Sequence, residues 1–501
     1  MGATTKTRNT TETERKYDGV DDTSPDQLAG PLVGVGAIAA VAGDGVVSLT
    51  AEYYDTRDER LAAQGITLRR RTGGHDAGWH LKLPVGPDTR EEIQAPLADR
   101  PPEALVALVR SRVRRAELLP LVTLRTRRDR RALSNADGTE LAELVLDQVT
   151  AERGEHTARW SEVEVELAEG ADPALLDAVE ERLAAAGLTR SAARSKLHRA
   201  LAETGARPPE AGPAAPPADD DAAGSYVLAY ARRQVRALVD LDPAVRRDLP
   251  DAVHQMRVAT RRLRSALRTF RPVLDRGATD PVRNELRWLA AELGLERDRE
   301  VMAERLSARL AELPPRLRLG PLDQRLSADT RTRRAEIRER VLATLDGPRY
   351  LDLLDTLDGL LAAPPLRGAA TSPAREVLAD VVRRDRDRLR ARLRTAETAP
   401  AGTERDVALH EARKAAKRAR YAAEAALPVL GSSAEKKRKR FKGVQQALGE
   451  HQDSVLARAE LLRLADQAQQ AGEPTFSYGV LYEREAELAA AARRKLRKLR
   501  S

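Results

Sequence analysis

Residues 253 to 270 read Val-His-Gln-Met-Arg-Val-Ala-Thr-Arg-Arg-Leu-Arg-Ser-Ala-Leu-Arg-Thr-Phe, and the order of unlike side chains in this run admits one structure. At about 100° per residue, His254, Arg257, Arg261, Arg264 and Arg268 form one stripe, while Met256, Ala259, Leu263, Leu267 and Phe270 fall opposite. The spacing predicts a helix that buries one face and sets a row of cations on the other. A lone row of this kind is ordinarily a solvated surface.

This row is not alone. His410, Arg413, Lys417 and Arg420 repeat the spacing of His254, Arg257, Arg261 and Arg264, each 156 positions later. Downstream, Leu293-Gly294-Leu295-Glu296-Arg297-Asp298 returns as Leu448-Gly449-Glu450-His451-Gln452-Asp453. The repeat predicts an all-α, duplicated helical-bundle unit with two facing basic helices. These residues resemble the CHAD domain family, whose halves carry His-x-x-Arg-x-x-x-[Arg/Lys]-Arg-x-Arg on the first long helix. The resemblance spans residues 225–500, with repeats at about 225–372 and 373–500. It implies two similar bundles whose cationic stripes bind inorganic polyphosphate across a pore or cleft, through His254, Arg257, Arg261, Arg264, His410, Arg413, Lys417 and Arg420. One departure is visible. Glu424 stands where the first copy has Arg268, which predicts a second stripe shortened or partly neutralised at its end.

A chain of 501 residues exceeds a single core and predicts at least two domains. Lys plus Arg number 86 against 77 Asp plus Glu, and the net charge of +9 favours a polyanionic partner without saying which. Nucleic acid stays open on charge alone, but aromatic residues make up only 3% of the chain, so platforms for stacking single strands are scarce. The absence of cysteine excludes disulfides and thiolate metal sites and fits a reducing compartment. The first ten residues have no apolar segment, and no run approaches about 18 apolar residues. The expectation is a cytoplasmic protein without a membrane span, and polyphosphate granules are a place such a chain could associate.

The first 200 residues carry a different period. Thr11 to Tyr17 alternate so that Glu12, Glu14 and Lys16 share one side of a strand. Further alternating segments pair Arg69 with Arg71, His80 with Lys82, and Arg90 with Glu92 and Gln94. Beyond them, Arg125 pairs with Arg127, Glu143 with Asp147, and Glu162 with Glu164 and Glu166. So many strands with charged faces of both signs predict a closed antiparallel β-barrel with a polar interior, because closure removes edges and gives the charges one lumen. Carboxylates are hard oxygen ligands for Mg²⁺ or Mn²⁺, and Arg and Lys bind phosphoryl oxygens through charge-assisted hydrogen bonds. Together they complement a metal-bound triphosphate.

These strands are similar to the CYTH family of triphosphate tunnel enzymes, whose signature Glu-x-Glu-x-Lys stands intact at Glu12, Glu14 and Lys16. Further matches are Tyr-Tyr-Asp-Thr at 53–56, Gly-Ile-x-Leu-Arg-x-Arg at 65–71, Trp-His-Leu-Lys-Leu-Pro at 79–84 and Glu-Val-Glu-Val-Glu-Leu at 162–167. The resemblance covers residues 9–202. It implies that Glu12, Glu14, Glu162, Glu164 and Glu166 hold divalent metal and that Lys16, Arg69, Arg71, Lys82, Arg125 and Arg127 hold phosphates, with Glu12, Glu14 and Lys16 at the catalytic centre. Spacing does not say which late glutamate is a direct ligand. Ser195-Lys196 matches a recurring family position, where Lys196 is either a further tunnel cation or a helix-surface lysine.

Residues 203–224 are rich in Pro and Ala with an acidic end and read as a linker. From Tyr226 onward the pattern is helical, interrupted at prolines including Pro243, Pro272 and Pro281. The basic run Glu435 to Lys442 could be a nucleic-acid patch. Offset by 155, it lies over Asp280 to Arg287, which would align Lys442 with Arg287 as extensions of the cationic lining or as solvated charges. The seven histidines lack paired ligand spacing, which speaks against zinc.

The expected protein is α+β and multidomain, with a tunnel that hydrolyses inorganic triphosphate or a related triphosphate and a helical domain that binds polyphosphate. Adenylate cyclisation, thiamine triphosphate hydrolysis, or a non-catalytic role in polyphosphate binding or granule targeting are the alternatives.

Overall fold

The alternation around Glu12 builds strand β1 (Arg8–Asp18), and this strand closes the sheet of the first unit. The structure, a computed structural model, describes residues 7–18, 24–205 and 221–500, with the backbone alone for 295–300, 327–334 and 500. Residues 206–220, most of the expected linker, lie outside it, as do the side chains of Leu295, Glu296, Arg297 and Asp298. Two compact units divide near residue 214.

In the first unit a short helix α1 (Pro25–Ala29) follows β1. Then come β2 (Ala40–Asp55), β3 (Thr67–Thr72), β4 (Gly78–Pro84), β5 (Thr89–Ala95), α2 (Glu103–Val113), β6 (Leu119–Ser134), β7 (Glu140–Arg153), β8 (His156–Leu167), α3 (Ala174–Ala185), β9 (Thr189–Arg190) and α4 (Lys196–Glu203). Sheet order is β5-β4-β3-β2-β6-β7-β8-β1-β9, and β5 also pairs with β1. Arg8 to Thr13 pair with β5, whereas Glu14 to Asp18 pair with β8, so β1 bridges both ends and the antiparallel ring closes. That register sets Glu14 opposite Glu166 and Lys16 opposite Glu164.

The outward residues of the ring are apolar where helices cover them. Val163, Val165, Leu144 and Tyr17 pack with Leu176, Val179 and Leu183 of α3, and Leu68, Trp79, Leu81 and Ile93 pack with Leu105 and Val109 of α2. One inward stretch is apolar too. Val122, Leu124, Val149 and Trp160 meet Leu197 and Leu201 of α4, so this helix forms an apolar floor beneath the charged lumen.

The second unit is helical among its described residues: α5 (Ala223–Arg246), α6 (Ala252–Thr269), α7 (Arg276–Glu292), α8 (Gly294–Ala311), α9 (Leu322–Asp346), α10 (Pro348–Ala362), α11 (Ala374–Thr398), α12 (Thr403–Ala425), α13 (Leu427–Gln470) and α14 (Phe476–Arg500). Pro243 and Pro281 sit inside α5 and α7 rather than between helices. Each lies within two turns of a helix end, where one lost backbone donor disturbs little of the ladder. The two basic helices, α6 and α12, pack directly against each other. Met256, Ala259, Leu263 and Leu267 on α6 and a row of alanines, Ala412, Ala416, Ala419 and Ala423, on α12 are buried in one core that runs through both repeats. Small side chains on one partner let the helices approach closely. α13 turns at Gly431, whose φ of 52° is inexpensive only for glycine.

Candidate functional site

Strand alternation sends Glu12, Glu14 and Lys16 of β1, Arg69 and Arg71 of β3, Lys82 of β4 and Glu164 and Glu166 of β8 into one cavity of about 780 Å³. Two sets of three carboxylates form inside, each with ligand oxygens within 4.8 Å of one another: Glu12 with Glu14 and Glu166, and Asp147 with Glu162 and Glu164. Hard oxygen donors at such spacing suit a divalent ion.

Cations interleave with both sets. Lys82 contacts Glu12, and Lys16 contacts Glu164 and lies 3.2 Å from Glu14. Lys196 of α4 is 2.9 Å from Asp147, 2.7 Å from Glu162 and 2.6 Å from Glu164. Burial alone would raise the Glu14 carboxyl, but Lys16, Lys82, Lys196 and Arg90 outweigh it and hold Glu14 well below the usual carboxylate range. Burial wins at Glu12, which rises to about 7 against the pull of Lys82, with Glu92 and Glu166 adding repulsion. Lys16 falls to about 8, first through burial and also through Lys196 and Lys82, and Arg71 falls to about 9 through burial and Arg69. Both remain cationic at neutral pH.

Arg125 and Arg127 do not join the lumen. Arg125 pairs with Glu152 at 3.3 Å and Arg127 reaches Gln148 at 3.5 Å, both exposed on the opposite face of β6. The inward face of this strand carries Arg128 and Arg130, which line the cavity. Its parity is disguised in the sequence because the inward residues begin as Val122 and Leu124, part of the apolar floor, and turn polar only from Thr126. Arg128 forks onto Asp147 at 2.9 and 2.6 Å, and Arg130 contacts Glu143.

Glu92 is a further wall residue to which sequence reasoning gave no role. Only 2% exposed, it receives Arg69 at 3.5 Å and Lys82 at 3.9 Å and lies 3.0 Å from the His80 ring. Its signal was the alternation Arg90, Glu92, Gln94. Arg90 likewise faces inward, 3.7 Å from Glu14.

In the helical unit the two stripes come together. Lys417 is pushed down to about 7, first by burial and then by Arg413 on its own helix and Arg261 and Arg257 on α6. Arg264 is lowered by burial and by Arg287, Arg261, Arg283 and Arg268, so α7 adds cations to the same patch. Arg413 reaches Asp453 at 3.2 Å, His410 lies 3.1 Å from the Gln452 amide oxygen, and Arg420 stacks 4.7 Å from the Tyr421 ring centre. His254 is half-buried on α6, and Lys442 is exposed on α13. Glu424 accepts from Arg262 and from the Tyr230 hydroxyl, each at 3.2 Å, and neither of these belongs to the stripes.

A family model of the CYTH domain matches residues 11–201, and one of the CHAD domain matches residues 229–462. An uncharacterised protein of Mycobacterium tuberculosis, found in two strains, is 39% identical over 503 residues, covering 97% of this chain and 94% of its own. Among solved structures, PptA from Streptomyces chartreusis is 22% identical, covering 56% of this chain and 99% of that one, with a TM-score of 0.47. The CHAD domain from the plant Ricinus communis is 28% identical, covering 57% of this chain and 95% of that one, with a TM-score of 0.45. The chain therefore belongs to the family of proteins that join an N-terminal CYTH domain, a closed triphosphate tunnel fold, to a helical CHAD domain.

Proposed function

We propose that the tunnel hydrolyses inorganic triphosphate, or a related triphosphate, with Mg²⁺ or Mn²⁺ as cofactor, and that the helical unit binds inorganic polyphosphate. The observation that carries the first part is the interleaving of carboxylate trios with inward Lys and Arg in a single cavity. Phosphoryl transfer needs positioning and charge neutralisation more than covalent help. A divalent ion held among the tunnel carboxylates would neutralise phosphoryl oxygens and polarise the phosphorus for attack by water.

The chain's own groups do the rest. Lys16, Lys82, Arg69, Arg71, Arg128 and Arg130 converge from four strands and would hold the phosphate chain through charge-assisted hydrogen bonds. Because they are fixed before substrate arrives, they stabilise the charge that spreads over the terminal phosphoryl group without reorganising. Pairs such as Lys82 with Glu12 and Lys16 with Glu164 keep these cations charged and in place until phosphate oxygens compete for them. α4 closes the apolar floor of the lumen.

For the helical unit, the supporting observation is the mutual repulsion of Arg257, Arg261, Arg413 and Lys417, gathered from two helices. A linear polyanion relieves that repulsion along its whole length. Among the described residues no helix is long and apolar enough to cross a membrane.

The test is phosphate release from triphosphate, longer polyphosphate, ATP and thiamine triphosphate, with and without Mg²⁺. Metal-dependent release from triphosphate, lost in a folded Glu14→Ala chain that still retains polyphosphate, is the expected result. Cyclic product from ATP, or no release from any substrate, would overturn it.

A further inference from the structure

The two carboxylate trios of the tunnel are not equivalent, because in one of them a single ammonium of the protein spans all three carboxylates. Lys196, the first residue of α4, sets its ammonium within 3 Å of Asp147, Glu162 and Glu164 together. The remaining oxygens are engaged as well. Arg128 spans both oxygens of Asp147 and reaches Glu164 at 3.1 Å, the Trp160 indole N–H donates to Glu162 at 2.7 Å, and Lys16 contacts Glu164. Three carboxylates thus face three full positive charges, Lys196, Arg128 and Lys16. All three carboxylates are buried, and buried charge is tolerated when it is paired and hydrogen-bonded in this way.

The trio of Glu12, Glu14 and Glu166 is built differently. All three line the open cavity, whereas Asp147 and Glu162 do not. Lys82 contacts Glu12, and Lys16 and Arg90 approach Glu14 at 3.2 Å and 3.7 Å, but among the described residues the Glu166 carboxylate has no ion pair and no single cation reaches all three carboxylates. Its oxygens face solvent-accessible space in which an ion can be exchanged.

We propose that Lys196 stands in for a second metal ion, so that the tunnel takes up a single divalent cation between Glu12, Glu14 and Glu166 while the ammonium permanently fills the site of Asp147, Glu162 and Glu164. The proposal rests on the metal-dependent reading above. It gives α4 a second task. The helix that plugs the floor also delivers a non-exchangeable charge to the phosphate-facing wall, so docking of α4 and electrostatic assembly of the tunnel are one event.

The experiment is titration of the full-length chain with Mn²⁺, counting bound ions by electron paramagnetic resonance. The wild type should take up one ion, lost in Glu166→Gln and retained with unchanged affinity in Asp147→Asn. Lys196→Ala, with its fold checked by circular dichroism, should take up two, the second disappearing when Asp147→Asn is added. Two ions in the wild type, loss of its single ion in a folded Asp147→Asn chain, or one ion only in folded Lys196→Ala would each overturn the replacement. Should Lys196→Ala not fold, the wild type and Asp147→Asn decide. No Mn²⁺ bound by the wild type would overturn the metal reading on which the proposal stands.

Discussion

The guanidinium of Arg257 on α6 lies against the backbone of Gly294 at the start of α8, so closely that a Cβ added to the glycine would come 3.0 Å from Cζ. The second repeat keeps the arrangement in a looser form, with Arg413 over Gly449 at 3.4 Å. Gly294→Ala should therefore displace Arg257 and weaken polyphosphate binding by about 1 kcal/mol, roughly fivefold, as one charge-assisted contact is misplaced. Gly449→Ala should leave binding nearly unchanged while stabilising the middle of α13 by up to about 1 kcal/mol. Isothermal titration with polyphosphate and thermal unfolding of both variants separate the two effects; equal binding losses would show that the closer approach at Gly294 has no consequence.

Lys417 predicts a pH dependence of stability. Its folded-state pKa of about 7 lies below its ordinary 10.5, depressed by burial and by Arg413, Arg261 and Arg257. Below pH 7 the lysine is charged in both folded and unfolded chains, so the full cost of holding that charge is present. Between pH 7 and 10.5 the folded chain has released its proton while the unfolded chain still binds one, and the cost disappears as pH rises. Lys417→Met should accordingly stabilise the helical unit by roughly 1–3 kcal/mol at pH 6 and much less near pH 10. Melting curves of both proteins at the two pH values test this, and an equal gain at both would contradict it.

On β6 the prediction concerns parity. Arg128 faces the lumen, and Arg127, its neighbour in sequence, faces out. Arg128→Ala should lower kcat/KM for triphosphate by about tenfold or more, since it removes a cation that also braces Asp147. Arg127→Ala should leave the kinetics unchanged. The reverse order would mean that the strand is turned over in the working enzyme.

What the sequence made legible follows from periods that are local. Glu12, Glu14 and Lys16 could be placed on one face because a strand alternates strictly, and the paired stripes because a duplicated helix repeats its spacing. The face of β6 was misread because a tunnel with an apolar floor gives its inward residues mixed polarity, Val122 and Leu124 before Arg128 and Arg130. The division of the late glutamates was hidden for another reason. It depends on β1 changing partners after Thr13, which brings Glu14 opposite Glu166 and Lys16 opposite Glu164, and on α4 arriving with Lys196 from the far end of the unit. Such long-range register leaves no trace in any one segment.

The last prediction concerns the stripes as a pair. Arg257 and Arg413 belong to different repeats, yet both act on the Lys417 ammonium, so one polyanion can meet both. Reversing both charges, Arg257→Glu with Arg413→Glu, should reduce polyphosphate affinity far more than reversing Arg383 and Arg386, which lie on α11 and pair with Asp380 and Asp387. Binding should also lose salt dependence, because each phosphate neutralised by a protein cation releases condensed counterions, as in nucleic-acid complexes. A double-mutant cycle separates a shared ligand from two independent surfaces: independent charges add within about 0.3–0.5 kcal/mol, whereas residues on one ligand need not. If the double reversal leaves both affinity and salt slope unchanged, the stripes are solvated helix faces and polyphosphate binds elsewhere.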